Sequence, residues 1–197
     1  MRIIITLLVL SATFFQVKAQ IVATTEDGRK VELNPDGTWR FKEVEKVTPP
    51  SDCSGVLELH EDRMTGNKTF FAPKEHIILT KDGETGLAVA WMLIENIIVL
   101  SITVDGGGCI DEDDRIYFLF RDGTRYDRKN ETRFNCTGRA GVNFGGPYGK
   151  KADLTNFTTK QLAAIRVSTS KNIIEENLTN LESQALMEGV VCIKSKL

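Results

Sequence analysis

The chain has 197 residues, 25 basic and 27 acidic side chains, and a formal net charge of −2. So mild and mixed a charge removes the electrostatic reason to expect nucleic acid or an anionic membrane surface as a partner. Four cysteines and two histidines leave little material for a metal centre or a histidine-based active site, and the length suffices for one good core with a small satellite.

Residues 1–19 read as a secretory signal peptide: Arg2, an apolar run Ile3–Leu10, and Val17-Lys18-Ala19 before cleavage at Gln20. The apolar run is short for a bilayer span, and no cysteine follows the cleavage point to carry a lipid. Cleavage removes Arg2 and Lys18 and no acid, leaving 23 basic against 27 acidic side chains, a net charge of −4. The expectation is an exported, periplasmic or extracellular protein with no membrane insertion of the mature chain.

Residues 20–42 form a small β-meander in this reading: strands at Ile21–Thr25, Lys30–Leu33 and Thr38–Phe41, joined by turns at Asp27-Gly28 and Asn34–Gly37. Val31, Leu33, Trp39 and Phe41 alternate, which puts one apolar face on the ribbon. Three short strands bury little alone, so the piece is expected to dock. The segment from Asp27 to Phe41, DGRKVELNPDGTWRF, resembles an N-terminal segment of exported proteins of gram-negative bacteria with the pattern DG-x-x-V-x-L-x-x-DGTW. The resemblance implies a bacterial envelope origin, and no activity comes with it. The later runs FLFRDGTRYD…FNC and AIRVST resemble a companion region of the same proteins.

Residues 43–52 read as a linker, since Thr48-Pro-Pro-Ser51 favours an extended connection. Residues 53–197 then form a disulfide-stapled, β-rich domain. Strands are expected at Val56–His60, Thr69–Ala72, His76–Lys81, Leu87–Ile94 and Ile97–Val104. The last two form the most apolar stretch, but Glu95-Asn96 at its centre and its β-branched residues favour a buried hairpin over a transmembrane helix. Ile116–Phe120 and Thr124–Tyr126 flank Asp122-Gly123, a two-residue hairpin signal.

Cys109 and Cys136 are symmetric about that turn. Their even offset predicts a hydrogen-bonded, wider position. The span exceeds most strands, so the ladder is expected to break near Asp111–Asp114 and Lys129–Arg133. Arg139–Phe144 is a further strand, and Asp153–Ala164 holds a short helix before strands at Ile165–Thr169 and Ile173-Ile174. Thr179-Asn-Leu-Glu182 matches a capping box for a helix ending near Glu188, with Gly189 as its stop. Val190–Ile193 then carries Cys192 back to the core.

An even cysteine count in an oxidising compartment reads as two disulfides. Of three connectivities, Cys109–Cys136 with Cys53–Cys192 is preferred. No closely spaced Cys/His set supports zinc.

Among candidates for chemistry, Asp111, Asp113 and Asp114 are weak calcium ligands, because the EF-hand glycine and terminal glutamate are missing. Gly145–Lys150 resembles a phosphate loop but has Phe144 and Lys151 where that motif needs glycine and Ser/Thr, so it reads as a surface loop. His60 and His76 sit in strand-like runs, and no nucleophile elbow occurs. Trp39, Trp91, Tyr117, Tyr126 and Tyr148 are candidates for a sugar-stacking platform, with Trp39 and Tyr148, near turns, as the exposed ones. Sequons stand at Asn67, Asn130, Asn135, Asn156 and Asn177.

The fold expected is mainly β, an antiparallel sandwich or barrel-like sheet with a short C-terminal helix, with α+β as the alternative. The function expected is a non-enzymatic exported protein of the bacterial envelope that binds a protein partner or small ligand, with no cofactor. The alternatives are a secreted hydrolase, for example carbohydrate-active, and a structural module acting by β-augmentation.

Overall fold

Alternation of apolar residues along two neighbouring segments builds the centre of the molecule. β6 (Gly86–Ile94) and β7 (Ile97–Asp105) pair antiparallel with Ile94 opposite Ile97. The connection has two residues, and Glu95 takes a φ of 55°, the left-handed region such a tight hairpin demands. Ile98, Leu100, Ile102 and Val104 are buried on one face, opposite Leu93, Trp91, Val89 and Leu87.

The computed structural model describes residues 21–24, 30–41, 52–80, 86–145 and 151–197, with side chains 22, 24, 30, 41, 75–80, 151 and 152 excepted. The calls for a signal peptide at 1–19, for a turn at Asp27-Gly28 and for most of the linker at 43–52 fall outside the described residues, as does Tyr148.

Among the described residues the chain is mainly β, with three antiparallel sheets, two helices and no closed barrel. β10 (Arg139–Phe144), β7, β6, β5 (Lys68–Thr80) and β4 (Glu58–Glu61) form a five-stranded sheet in that order. The two strands expected around Pro73 are one strand of 13 residues, whose register shifts between Ala72 and Ile77. Proline has no amide for the ladder, so pairing is suspended around it and resumes beyond the bulge. β4 begins at Glu58 and not at Val56, because the Val56 and Leu57 amides donate to the Cys53 carbonyl in a turn.

β12 (Ile173–Asn177), β11 (Leu162–Ser168), β8 (Arg115–Phe120) and β9 (Arg125–Lys129) form a four-stranded sheet in that order. Ile116, Phe118 and Phe120 of β8 are buried, while Arg115 and Tyr117 point outward. The meander forms a third sheet of β1 (Ile21–Thr24), β2 (Lys30–Leu33) and β3 (Trp39–Phe41). Its register aligns Ile21, Leu33 and Trp39 across the strands, with Val31 between Ala23 and Phe41.

Both larger sheets and both helices contribute to one continuous core. α1 (Lys151–Thr159) delivers Phe157 into it. α2 (Asn180–Lys194) starts at the expected capping box: the Thr179 amide donates to Glu182 Oε2 at 2.7 Å, and the Glu182 amide donates to Thr179 Oγ1 at 3.3 Å. The Trp91 indole N–H donates to the Leu186 carbonyl at 2.9 Å and pins this helix to β6. The helix does not stop at Gly189 but runs on to Lys194, and it is from this continued helix that Cys192 reaches the core. A Cβ on Gly189 would stand 3.2 Å from both Ala72 Cβ and Pro73 N, so the glycine permits close approach to β5. Burial of Leu186, Met187, Val190, Cys192 and Ile193 outweighs the roughly 1 kcal/mol that glycine costs a helix interior.

The β8–β9 turn differs from the two-residue form expected. Leu119 pairs with Arg125. The Phe120 amide donates to Thr124 O, and the Gly123 amide donates to Phe120 O, both at 2.9 Å. Arg121-Asp122-Gly123 is therefore a three-residue loop closed by Gly123 at φ 84°, the bulged hairpin form.

The ladder breaks beyond Arg115 and Lys129, as the length argument required, and resumes as one bridge, Ile110 with Asn135. These two exchange N–H···O bonds of 2.8 and 3.0 Å. Cys109 and Cys136 thus occupy the adjoining narrow, non-hydrogen-bonded position, with Cα atoms 3.9 Å apart. The expected wide position is overturned because the break resets the alternation between the turn and the disulfide.

Asn130, only 2% exposed, holds that break together. Its Nδ2 donates to the carbonyls of Asp111 (2.9 Å) and Thr132 (3.1 Å), and its Oδ1 accepts from the amides of Gly141 (3.0 Å) and Thr132 (3.2 Å). Replacing Asn130 by Ala orphans four backbone groups and is expected to cost about 3 kcal/mol in urea denaturation. A loss under about 0.5 kcal/mol would show that water serves those groups equally well.

Candidate functional site

Side chains alternate across a sheet, so the outward residues of the four-stranded sheet follow from its register. One row reads Glu175, Arg166, Tyr117, Asp127 from β12 to β9, and the next reads Asn177, Ala164, Leu119, Arg125. Directly opposed side chains lie about 5 Å apart at Cβ, so each row is a contact chain. Arg166 pairs with Glu175, and Arg115 pairs with Asp127. Tyr117 stands between these ion pairs on a central strand and remains 39% exposed.

Ala164 brings almost no bulk to its position. A groove of about 270 Å³ opens there, lined among others by Tyr117, Leu119, Arg125, Asp127, Arg166 and Glu175. Its two carboxylates are each matched by a guanidinium, whereas Arg125 has no ion-pair partner among the described residues. The lining itself is balanced, two arginines against two acids, but Asp127 is matched by Arg115 from outside it, which leaves the Arg125 guanidinium over. Such a surface can stack a ring on Tyr117, accept hydrogen bonds at the carboxylates and hold an anion at Arg125. A second hollow of about 350 Å³, lined in part by Asn67, Phe70, Glu95 and Lys196, offers no tyrosine or tryptophan.

A second polar cluster lies behind the sheet. Arg128 reaches Tyr126 Oη at 3.2 Å and Asp153 Oδ2 at 3.0 Å, pairs with Glu131, and lies 5.8 Å from the Phe144 ring centre. Glu131 Oε2 in turn accepts from the Asn143 amide at 2.8 Å. Burial pushes the Tyr126 phenol up to about 12, against the opposing pull of Arg128, so Tyr126 stays protonated at neutral pH. The cluster ties the first turn of α1 to β9 and β10, and its guanidinium is already matched by carboxylates.

The remaining sequence candidates disperse. Cys53 bonds Cys192 and Cys109 bonds Cys136, which is the preferred connectivity, and no free cysteine exists among the described residues. Asp111 Oδ1 accepts from the Glu112 amide, Asp114 Oδ2 accepts from the Asp111 amide, and Asp113 pairs with Lys129 at 2.5 Å. Among the described residues no three His, Cys, Asp or Glu side chains are grouped to hold a metal ion. His60 is exposed on β4, and the side chain of His76 lies outside the described residues.

Of the aromatic candidates, Trp91 is buried and Tyr126 packs against the core, while Trp39 is 57% exposed on the meander. Tyr117 was indistinct from the others in sequence. Its signal was phase: within Ile116–Phe120 it is the aromatic that falls on the outward positions. The sequon amides of Asn130 and Asn135 are consumed internally, Asn135 Nδ2 donating to the carbonyls of Arg133 and Arg139. Asn67 and Asn177 are exposed.

Compared with family models, curated proteins and solved structures, the chain matches none of the three.

Proposed function

We propose that this chain is an exported, non-enzymatic binding protein of the bacterial envelope, and that it holds a small ligand in the groove on the outer face of the four-stranded sheet. Export is supported by the signal-like residues 1–19 together with two disulfides. Among the described residues no helix is long and apolar enough to cross a membrane. The observation that carries the binding reading is Tyr117: a large aromatic half in solvent, on a central strand, between two ion pairs and above a depression.

Groups arranged as matched ion pairs around an aromatic ring suit recognition, and the groove gathers no cysteine or histidine. Replacing Tyr117 by Ala is expected to lower the thermal midpoint by no more than about 4 °C, since the ring is outside the core and 39% exposed. The same change is expected to abolish ligand-induced amide shifts at Leu119, Arg125 and Arg166 in NMR fragment screening. Clear turnover of glycoside, ester or peptide substrates by the unchanged protein would favour a hydrolase. Fragment binding unaffected by it would move the site elsewhere.

A further inference from the structure

Resting on the groove as the ligand site, we infer that its ligand class is an acidic saccharide, a pyranose ring bearing a carboxylate. The backbone amides and carbonyls of β11 and β8 are spent in the sheet, because both strands are flanked on each side. An extended peptide gains most of its affinity by adding to an open sheet edge, and the two floor strands offer none, the edges belonging to β9 and β12 at the sides of the groove. Recognition falls to side chains alone, which favours a ligand rich in its own hydrogen-bonding groups.

The side chains present match one ring. Tyr117 offers a ring that is 39% exposed to the C–H face of a sugar, beside the apolar Leu119 and Ala164. Asp127 and Glu175 are each engaged by one arginine. An ionised carboxyl has about four lone-pair sites, so both retain capacity for sugar hydroxyls. Arg125, one row away from Tyr117, is the guanidinium without an acid, and its fork fits a carboxylate with two parallel hydrogen bonds. No unmatched acid in the groove opposes an anion. A volume of about 270 Å³ is at the small end of ligand sites and suits one or two rings.

The test is isothermal titration of the purified full chain with tri-galacturonate, with the neutral galactose trimer, and with a glutamate tetrapeptide. The expected result is tri-galacturonate binding at least about tenfold tighter than the neutral trimer, weakening as salt is raised. Arg125→Gln is expected to erase that preference, and Tyr117→Ala to weaken both sugars about tenfold or more. Both positions face outward, and a thermal midpoint of the variants within about 4 °C of the unchanged protein's confirms that the fold is retained. Equal affinity for the two sugars, or no saccharide binding at millimolar concentration, overturns the ligand class. Tetrapeptide binding that depends on Tyr117 overturns the class while leaving the groove in place. If none of the fragments in the NMR screen depends on Tyr117, the groove falls as well.

Discussion

Replacing Phe157 by Ala is expected to destabilise the protein by about 4 kcal/mol, the range for emptying a buried aromatic site. Phe157 is 2% exposed, and its ring centre lies 5.0–5.9 Å from those of Trp91, Phe118, Phe120, Tyr126 and Phe144. Those rings belong to β6, β8, β9 and β10, so one side chain from a nine-residue helix joins both larger sheets. Edge-to-face pairs contribute about 0.5–1.5 kcal/mol each beyond area burial. Phe157→Leu, which keeps most of the volume, is expected to cost about 1–2 kcal/mol. Urea denaturation measures both, with the near-ultraviolet signal of Trp91 reporting on the cluster. An alanine cost below about 1 kcal/mol would mean that α1 is not the wedge its ring contacts describe.

The second large effect is expected at Cys53–Cys192, which closes a loop with a sequence separation of 139. On the chain-entropy model this bridge contributes about 5 kcal/mol, against about 3.6 for Cys109–Cys136 with a separation of 27. These are upper guides taken singly, because the smaller loop lies within the larger. The double change of Cys53 and Cys192 to Ala is therefore expected to cost more than the same change at Cys109 and Cys136. Packing argues the same way: Cys192 is fully buried on α2 among Val190 and Ile193, whereas Cys136 is exposed. Denaturant midpoints of the two double variants decide the order, and the reverse ranking would show that native-state effects at the hairpin outweigh loop entropy.

Much of the architecture was legible in the chain itself. Ile98, Leu100, Ile102 and Val104 alternate with less buried residues, and β7 follows that alternation. Glu95-Asn96 interrupts two apolar runs, and a two-residue hairpin forms there. The Thr179–Glu182 capping box and the paired cysteines also stand where expected. The groove was legible only in part. Tyr117 was among the aromatic candidates, but nothing local marked Arg125, Arg166 or Glu175, which are brought together by strands up to 50 residues apart.

The sequence by itself determined what neighbouring residues decide among themselves: strand period, turn sites, the helix start and the mainly β class. Those features depend on φ/ψ preferences and on apolar spacing within a few residues. Tertiary structure alone decided the features that depend on what a distant element brings. Gly189 continues a helix because Ala72 and Pro73 press against it. Pro73 sits within one long strand because β6 pairs on either side of the bulge. Cys109 and Cys136 take the narrow position because the ladder breaks around Asn130 and resumes at Ile110. Tyr117 faces a groove because β11 places the small Ala164 beside Leu119. A one-residue shift in register turns every side chain to the other face, and register is settled by long-range pairing that local sequence does not contain.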